Sequence, residues 1–255
     1  MKNDLELIVH KLPRNQKYVN LYPIGDVHVG SENFSQDAWN RWKKMVKADP
    51  HSKVVYIGDL LDNGLKNSKT NSYLATMQPE EQKNWWKAEF KDFLAEKLLG
   101  GTVGNHEERS VQLTGSCPLY DIMCKFDIED LYRPNGAFIK ISLGHKSAER
   151  QWSYVIALGH GATKGKKDKF GLSLDGIDAL ISGHTHTAST EFPSKLVVDS
   201  KNDVIRQISY VDLVVPSMLS YGGYGLKAMY TPKCNDKFPI LRLSGKQKDI
   251  EVIWR

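Results

Sequence analysis

The sequence predicts an α/β fold, and three features of its pattern support that class. In the first half of the 255-residue chain, short apolar runs rich in Val, Ile and Tyr alternate with segments of helical period. The second half consists mainly of strand-like runs separated by turn residues. Several strands end in a short polar cluster with glycine, the position at which open α/β sheets bind ligands. This pattern favours layers of helix and sheet over a helical bundle or an all-β barrel.

The first half contains three predicted strands and two predicted amphipathic helices. The runs YVNLYPIG and KVVYIG are predicted strands, and SQDAWNRWKKMVKAD between them is a predicted helix. A second helix begins after Pro79, and Gly100 and Gly101 are expected to end it, after which TVG is the third predicted strand. The residues on the apolar faces are expected to pack in the core: Trp39, Trp42 and Val46 in the first helix, and Trp86, Phe90, Phe93 and Leu94 in the second.

From residue 135 onward the predicted elements are mostly strands. They are AFIKISL, QWSYVIAL, ALIS, SKLVVDS, VIRQISYVDLVV, KFPILRL and DIEVIW, with turn residues or basic loops between them. The sequence shows no internal repeat and no long linker rich in Pro, Ser or Gly. One domain over residues 1–255 is therefore expected, and two small domains are the less favoured division.

Composition is typical of a cytoplasmic globular protein. No apolar run approaches the roughly 20 residues that span a bilayer, and MKNDLELIVH lacks the pattern of a signal peptide, so neither a membrane partner nor export is expected. Cys117, Cys124 and Cys234 form no CxxC pair and are predicted to be reduced, the first two in the core. The net charge of +5 is compatible with an anionic substrate, but many proteins without one share it. Composition leaves the oligomeric state open.

Five predicted strands are followed by glycine-containing polar clusters. The clusters are YPIGDVHVG, VVYIGDLLDNG, GTVGNHEERS, VIALGHG and ALISGHTH. Their carboxylate, imidazole and amide groups suit Mn²⁺, Fe, Zn²⁺ or Mg²⁺ as ligands. One histidine after a strand would indicate little, but five clusters at the carboxyl ends of strands are expected to converge on one site. Their polar side chains are Asp26, His28, Asp59, Asp62, Asn105, His106, His160, His184 and His186.

The series GDVH, GDLLDNG, GNHE, GHG and GHTH resembles the motifs of the calcineurin-like metallophosphoesterase superfamily. All five motifs occur in the superfamily's order and stretch from Asp26 to His186. The resemblance implies a four-layer αββα sandwich of two mixed β-sheets flanked by helices, with a two-metal site at one edge of the sheets. Residues 187–255, which carry no motif, would complete the sandwich with strands. It also implies a hydrolase in which a metal-bridging hydroxide attacks a phosphoester.

The same resemblance implies roles for individual residues. The implied ligands are Asp26, His28 and His186 for one metal ion, Asn105, His160 and His184 for the other, and Asp59 as the bridge. His106 would stabilise the transition state or protonate the leaving oxygen. Asp62 would orient His106 by a hydrogen bond, with a structural role in the turn as the alternative. Two divalent ions are expected, with Mn²⁺ favoured and Fe, Zn²⁺, Ni²⁺ and Mg²⁺ as alternatives.

Substrate-binding residues are predicted from charge and position. The candidates are Asn105, Arg109, and Lys164, Lys166 and Lys167 of the basic loop TKGKKDKF, with a solvated structural role as the alternative for Arg109 and the lysines. The tyrosines of SYGGYGLKAMY are candidates for stacking on bases, with strand packing as the alternative. Protein serine/threonine phosphatases of the superfamily have arginines where this chain has Asn63 and Val103, which argues against that branch.

The predicted function is therefore metal-dependent hydrolysis of a phosphodiester of nucleic acid or of a nucleotide. The nearest alternative is a phosphomonoesterase, including a protein phosphatase, because the motifs define the reaction and not the leaving group. An alternative of another class is a metal-binding interaction protein that keeps the site without catalysis.

Overall fold

The computed structural model describes residues 5–65, 68, 72–144, 151–161, 164–233 and 235–255. The strands are, in chain order, β1 (Ile8–Lys11), β2 (Tyr18–Ile24), β3 (Ser52–Tyr56), β4 (Leu98–Thr102), β5 (Tyr132–Arg133), β6 (Ala137–Leu143), β7 (Trp152–Gly159), β8 (Ala179–Ser182), β9 (Ser189–Glu191), β10 (Ser194–Asp199), β11 (Val204–Ser209), β12 (Val211–Val214), β13 (Pro239–Ser244) and β14 (Ile250–Trp254). The helices are α1 (Gln36–Ala48), α2 (Pro79–Glu89), α3 (Ala95–Lys97), α4 (Asn105–Thr114), α5 (Pro118–Cys124), α6 (Lys164–Ser173) and α7 (Gly223–Lys227). A π-helical turn, Phe90–Leu94, joins α2 to α3.

The strands of the described residues form two mixed sheets and a separate hairpin of β10 and β11. One six-stranded sheet has the order β1-β6-β7-β8-β12-β9, and the other has the order β14-β13-β2-β3-β4-β5. The strands that precede the polar clusters run parallel within each sheet, β2 to β4 in the second and β7 and β8 in the first. With helices on the outer faces, the two sheets confirm the predicted four-layer αββα sandwich.

Apolar side chains fill the spaces between these layers. The layer between the sheets takes residues from both, including Leu21 of β2 and Ile139 of β6. On the outer face of the β2–β4 sheet, Trp39, Trp42 and Trp86 are fully buried, so the helical spacing predicted their core positions correctly. A smaller cluster lies on the outer face of the other sheet and consists of Ala157, Leu180 and Tyr210.

Three local predictions are wrong. The second helix ends at Lys97, and Gly100 and Gly101 lie inside β4. A Cβ atom on Gly101 would lie 2.5 Å from the Tyr56 side chain, so the glycine allows close packing within the sheet. The described part of the predicted basic loop, KGKKDKF from Lys164 onward, lies in α6. The run VIRQISYVDLVV is divided at Tyr210 into β11 and β12, which belong to different sheets.

The cysteine prediction holds for one residue. Cys117 is buried as expected, whereas Cys124 at the end of α5 is exposed, and Cys234 lies outside the described residues. Among the residues that the structure describes, no helix has the length and apolar content to cross a membrane.

Candidate metal centre

The five polar clusters predicted from the sequence follow strands β2, β3, β4, β7 and β8, at their carboxyl ends. Their side chains form three overlapping groups in which one potential ligand atom per residue lies within 4.8 Å of the others. The groups are Asp26, His28 and His186; Asp59, His160 and His184; and His28, Asp62 and His106. Each of the first two groups combines residues from both sheets, so the site lies at the edge where the sheets meet.

The first group presents ligand atoms that lack other partners. Asp26 Oδ1 lies 3.4 Å from His186 Nε2 and 3.9 Å from His28 Nε2. Among the described residues, Asp26 Oδ1 and His28 Nε2 are buried and have no hydrogen-bond partner. Burial lowers the pKa of His28 well below its usual value, with His106 adding to the effect, which favours the neutral imidazole. A buried carboxylate oxygen and a neutral imidazole nitrogen without partners fit a divalent cation between them.

The second group is arranged around His160. Its Nδ1 lies 2.7 Å from the carbonyl oxygen of Ile57. Because a carbonyl only accepts, Nδ1 carries the hydrogen, and Nε2 faces Asp59 Oδ2 at 3.2 Å and Asn105 Oδ1 at 3.1 Å. Burial acts to lower the pKa of His160, but the bond and charge of Asp59 raise it to about 9. The ring of His184 lies 5.1 Å from the ring of His160, centroid to centroid.

Asp59 belongs to the second group and also approaches the first. Its Oδ2 is 3.2 Å from His160 Nε2 in one group and 3.8 Å from His28 Nε2 in the other. Its Oδ1 accepts a hydrogen bond from the backbone N–H of His106 at 2.9 Å, which fixes the carboxylate in this position. Burial alone would raise the pKa of Asp59, but its contacts with His160 and His28 hold it below its usual range. The geometry therefore suits an anionic ligand shared by two cations.

The third group holds His106 by a contact different from the one expected. His106 Nδ1 donates to the main-chain carbonyl of Asp62 at 2.6 Å, whereas the Asp62 carboxylate Oδ1 is 3.6 Å away. The expected hydrogen bond to the Asp62 side chain is thus replaced by one to the Asp62 backbone. This bond engages Nδ1, as the expected one would, and leaves Nε2 to face the substrate side. Burial raises the pKa of the Asp62 carboxyl to about 6, and the charge of Asp59 adds to that effect.

Backbone strain is concentrated in these loops. Five of the predicted ligands have left-handed backbone conformations, a region that residues other than glycine rarely adopt. They are Asp26, His28, Asp59, His184 and His186, with φ values of 49°, 53°, 51°, 66° and 55°. Such strain persists only where surrounding contacts impose it, and it is common at functional sites.

Glu107 imposes part of this geometry, a role that was not predicted from the sequence. Its buried carboxylate accepts backbone N–H bonds from Asp59, Leu60 and Leu61 at 2.9, 2.7 and 3.0 Å, and from Gly104 at 3.0 Å. One side chain thus ties the loop after β3 to the start of α4. The only sequence signal was its place as the last residue of GNHE.

A cavity of about 880 Å³ opens beside the clusters. His28, His106 and His186 line one side of it, and Arg109 lines it with Nη1 at 3.4 Å from the carbonyl oxygen of Asp62. Tyr221 and Tyr230 line the same cavity, so the glycine-rich C-terminal segment lies at the site. Both tyrosines are among the candidates for stacking on bases that the sequence provided, and that role stays a prediction.

The lysines of the predicted basic loop differ in their surroundings, and one of them is engaged in an ion pair within the fold. Lys167 donates from Nζ to Asp212 Oδ1 at 2.9 Å, and its side chain is only 10% exposed, so it is engaged in the fold and turned away from solvent. Lys166 is exposed on the same helix. The side chain of Lys164 lies outside what the structure describes. Among the described cavity-lining residues, the lysines are Lys227 and Lys233, both from the C-terminal segment.

Two mixed sheets with helices outside them, and clusters of carboxylates and histidines at one edge, define the architecture of a metallophosphoesterase. The sequence profile of the calcineurin-like phosphoesterases matches residues 21–188, and the chain belongs to this family. The family's hydrolysis of phosphoesters and its use of divalent metals agree with the donor set described above.

Solved structures with similar folds are distant in sequence. Calcineurin-like phosphoesterase YfkN from Bacillus subtilis is 12% identical over 94% of this chain and 91% of its own, with a TM-score of 0.48. Zinc-complexed Vps29 from Entamoeba histolytica is 13% identical over 93% and 98%, with a TM-score of 0.41. A metallophosphoesterase from Sphaerobacter thermophilus is 9% identical over 93% and 88%, with a TM-score of 0.42. A search of curated proteins returned no match.

Proposed function

We propose that this protein hydrolyses a phosphodiester of nucleic acid or of a nucleotide with the help of two divalent ions, Mn²⁺ in the first place. The observation that supports this most strongly is the pair of ligand groups on either side of Asp59, beside a cavity of about 880 Å³. The residues that would hold the ions are Asp26, His28 and His186 on one side, Asn105, His160 and His184 on the other, and Asp59 between them.

The residues around the ions have separate tasks. Bound divalent ions supply charge that polarises the phosphoryl oxygens and makes hydroxide available near neutral pH. Hydrolysis adds a water oxygen to phosphorus and breaks the ester P–O bond, so the leaving oxygen requires a proton. His106 is the proposed donor because the Asp62 carbonyl holds its Nδ1 and its side chain lines the cavity. Burial lowers the pKa of His106, and a phosphate anion in the cavity would favour its cationic form.

The proposed preference for a diester rests on two positions at which this chain lacks an arginine, Asn63 and Val103. Asn63 donates from Nδ2 to the His106 carbonyl at 2.6 Å and to Ser110 Oγ at 2.9 Å, and Val103 is buried in the core. Protein phosphatases of the superfamily carry arginines at these positions. Without those cations the site has less charge to neutralise the extra negative charge of a phosphomonoester.

A comparison of chromogenic substrates tests the proposal. With Mn²⁺, the protein should hydrolyse bis-p-nitrophenyl phosphate faster than p-nitrophenyl phosphate, and EDTA should abolish both reactions. A faster monoester reaction would identify a phosphatase. Stoichiometric metal without hydrolysis of either ester, or of phosphopeptides and cyclic nucleotides, would identify a non-catalytic metal-binding protein.

A second comparison tests nucleic acid as the substrate. Single-stranded DNA, duplex DNA and RNA are offered with Mn²⁺ at low and high salt, because contacts between lysines and phosphates weaken as salt rises. Lys166→Ser should reduce the salt dependence if the exposed face of α6 contacts the strand, with Lys44→Ser on α1 as the control. Activity indifferent to salt and to this substitution would exclude α6 from substrate binding.

A further inference from the structure

Residues 217–233, named here the tyrosine wall, are attached directly to the loop that carries the first ligand group. The Met218 N–H donates to the carbonyl oxygen of Asp26 at 3.0 Å, and the Ser35 N–H donates to the carbonyl of Met218 at 2.9 Å. The Ser220 N–H donates to the carbonyl of Asn33 at 2.8 Å. These backbone bonds fix the wall relative to the metal centre, so its side chains can position a substrate against the clusters.

The cavity between the wall and the histidines is larger than the reacting group requires. Its volume of about 880 Å³ lies within the roughly 300–1,000 Å³ typical of sites for whole small molecules. A phosphate group bound at the clusters would occupy only a minor part of that space. The remainder is bordered by the wall, which would contact the group attached to phosphorus.

Two aromatic rings of the wall are available to that part of the substrate. Tyr221 is 46% exposed and Tyr230 is 58% exposed, and both line the cavity. The Tyr221 hydroxyl donates to the carbonyl oxygen of Tyr230 at 2.6 Å, which restrains its ring and engages its polar end. A restrained, solvent-facing aromatic ring is a platform on which a base can stack, a contact worth about 1–3 kcal/mol per base.

Charged groups line the same cavity as the two rings. Lys227 and Lys233 line the cavity beside the tyrosines and supply cations for a phosphate. Glu32 lines it from the loop after the first ligand group and can accept hydrogen bonds from sugar hydroxyls or a base amine. Gly223 permits this approach, because a Cβ atom there would lie 2.6 Å from Glu32 Oε1. Aromatic, cationic and acceptor groups together match a nucleoside phosphate.

We propose that the tyrosine wall is a nucleoside-binding subsite, in which an unpaired base stacks on Tyr221 and Tyr230 while its phosphate lies at the metal clusters. The assignment rests on the proposed phosphoesterase function and specifies its substrate. A base within a duplex is already stacked on both faces, so the subsite selects a single-stranded end or a free nucleotide. A phosphoserine or phosphothreonine side chain offers no planar surface of its own.

Two esters with the same leaving group measure the contribution of the subsite. With Mn²⁺, kcat/KM for p-nitrophenyl thymidine 5′-phosphate should exceed that for p-nitrophenyl ethyl phosphate by about tenfold or more. Tyr221→Leu and Tyr230→Leu should remove most of that advantage, mainly by raising KM for the thymidine ester. The same substitutions should change kcat/KM for the ethyl ester by less than about twofold. Tyr221→Phe, which keeps the ring, should retain the advantage. Tyr73→Leu is the control, since Tyr73 is 95% exposed and is not among the cavity-lining residues described.

Calorimetry provides a readout that does not depend on turnover. In Mn²⁺, thymidine 5′-monophosphate should bind about tenfold more tightly than inorganic phosphate, and the two leucine variants should lose this difference. Tyrosine-dependent nucleotide binding without hydrolysis of any ester would refute the proposed function and leave the subsite in place. Hydrolysis of both esters with equal kcat/KM, or equal losses on both in the leucine variants, would overturn the subsite alone.

Two further arms identify the source of the nucleoside. A preference for oligothymidylate over p-nitrophenyl thymidine 5′-phosphate would assign the subsite to a strand end, and the reverse preference would assign it to free nucleotides. A phosphoserine peptide is the third substrate. If it is hydrolysed faster than oligothymidylate and p-nitrophenyl thymidine 5′-phosphate, and if Tyr221→Leu slows that hydrolysis, the proposal is overturned in favour of a protein substrate.

Discussion

At the scale of single residues, Asp59 lies within 3.8 Å of ligand atoms on both sides and is the proposed bridge between the two ions. Asp59→Asn keeps the shape of the side chain but removes its negative charge, so two cations about 3.5–4 Å apart would no longer be shielded from each other. We expect the variant to lose about one Mn²⁺ per molecule, measured by plasma mass spectrometry after equilibration in Mn²⁺. Asp37→Asn, at an exposed position of α1, is the control. Undiminished metal content in Asp59→Asn would contradict the bridging role.

His106 provides a different test because it is proposed to act on substrate without binding metal. Removing a positioned acid typically costs about 10²–10⁴ in rate. His106→Ala should therefore retain its Mn²⁺ and lose at least about 10² in kcat, measured with bis-p-nitrophenyl phosphate. His51→Ala, which removes a ring packed against Tyr18, should leave kcat unchanged. Normal turnover in His106→Ala would exclude the proposed role.

Glu107 acts on the geometry of the loops that carry the ligands. Glu107→Gln replaces one acceptor oxygen with an NH₂ group facing backbone N–H donors, leaving part of the four-bond set of Glu107 unsatisfied. Because a buried group without its partner costs about 1–3 kcal/mol, we expect the free energy of unfolding to fall by about 2–4 kcal/mol in urea titrations. The control is Glu108→Gln on the same helix. If Glu107→Gln lowered the free energy of unfolding by no more than Glu108→Gln does, the four bonds would add no stability.

At the scale of elements, α6 is fixed to the sheet by Lys167 and Asp212. Burial raises the pKa of Asp212, Lys167 opposes that effect, and Asp168 and Glu191 add to it. Lys167→Met would leave a buried carboxylate without a counter-charge, so unfolding free energy should fall by about 3 kcal/mol at pH 8. In the variant the folded pKa of Asp212 lies further above its unfolded value. At a pH between these two pKa values, Asp212 binds a proton when the chain folds, so lowering the pH stabilises the folded variant. The loss of unfolding free energy in Lys167→Met should therefore shrink toward pH 4.

Urea titrations at both pH values measure this difference. Lys166→Met, at the exposed neighbouring position, should change stability little at either pH. A loss in Lys167→Met that is the same at pH 8 and pH 4 would mean that packing of the lysine stem, and not its charge, fixes the helix.

The same helix shows where prediction from sequence failed among the elements. Strands β2, β3 and β8 were predictable because apolar runs end there at glycine. Helix α6 is rich in lysine and has no apolar stripe, and Lys167 meets Asp212 from a distant part of the chain. The division of one predicted strand at Tyr210 was equally unpredictable, because local β propensity does not specify which sheet a strand joins.

At the scale of the whole molecule, the residue types of the site were predictable, and its tyrosines were named as candidates, but the position of the cavity wall was not predictable. Carboxylates and histidines after strands indicate metal binding wherever the strands meet. The tyrosine wall reaches the site through backbone bonds, such as that from Met218 to Asp26, which carry no side-chain signature. Prediction therefore covers the chemistry of the centre, whereas the substrate cavity depends on contacts between segments distant in sequence.

The first two ligand groups also join the two sheets, with consequences for the stability of the whole fold. Asp26 and Asp59 follow strands of one sheet, and His186 and His160 follow strands of the other. An ion at 100 times its Kd adds about 2.7 kcal/mol to the folded state. At about 2–4 °C per kcal/mol, Mn²⁺ should raise Tm by about 5–10 °C for each ion in scanning calorimetry.

EDTA should reverse this rise, and His186→Ala should remove the part that depends on the first group while leaving the protein folded without metal. The stabilisation arises because unfolding separates the loops of the two sheets and releases the ions. Ions that bind with full stoichiometry and leave Tm unchanged would have to bind the unfolded chain equally well. That result would show that the sheets are held together by their apolar layer alone, and that the centre adds chemistry without stability.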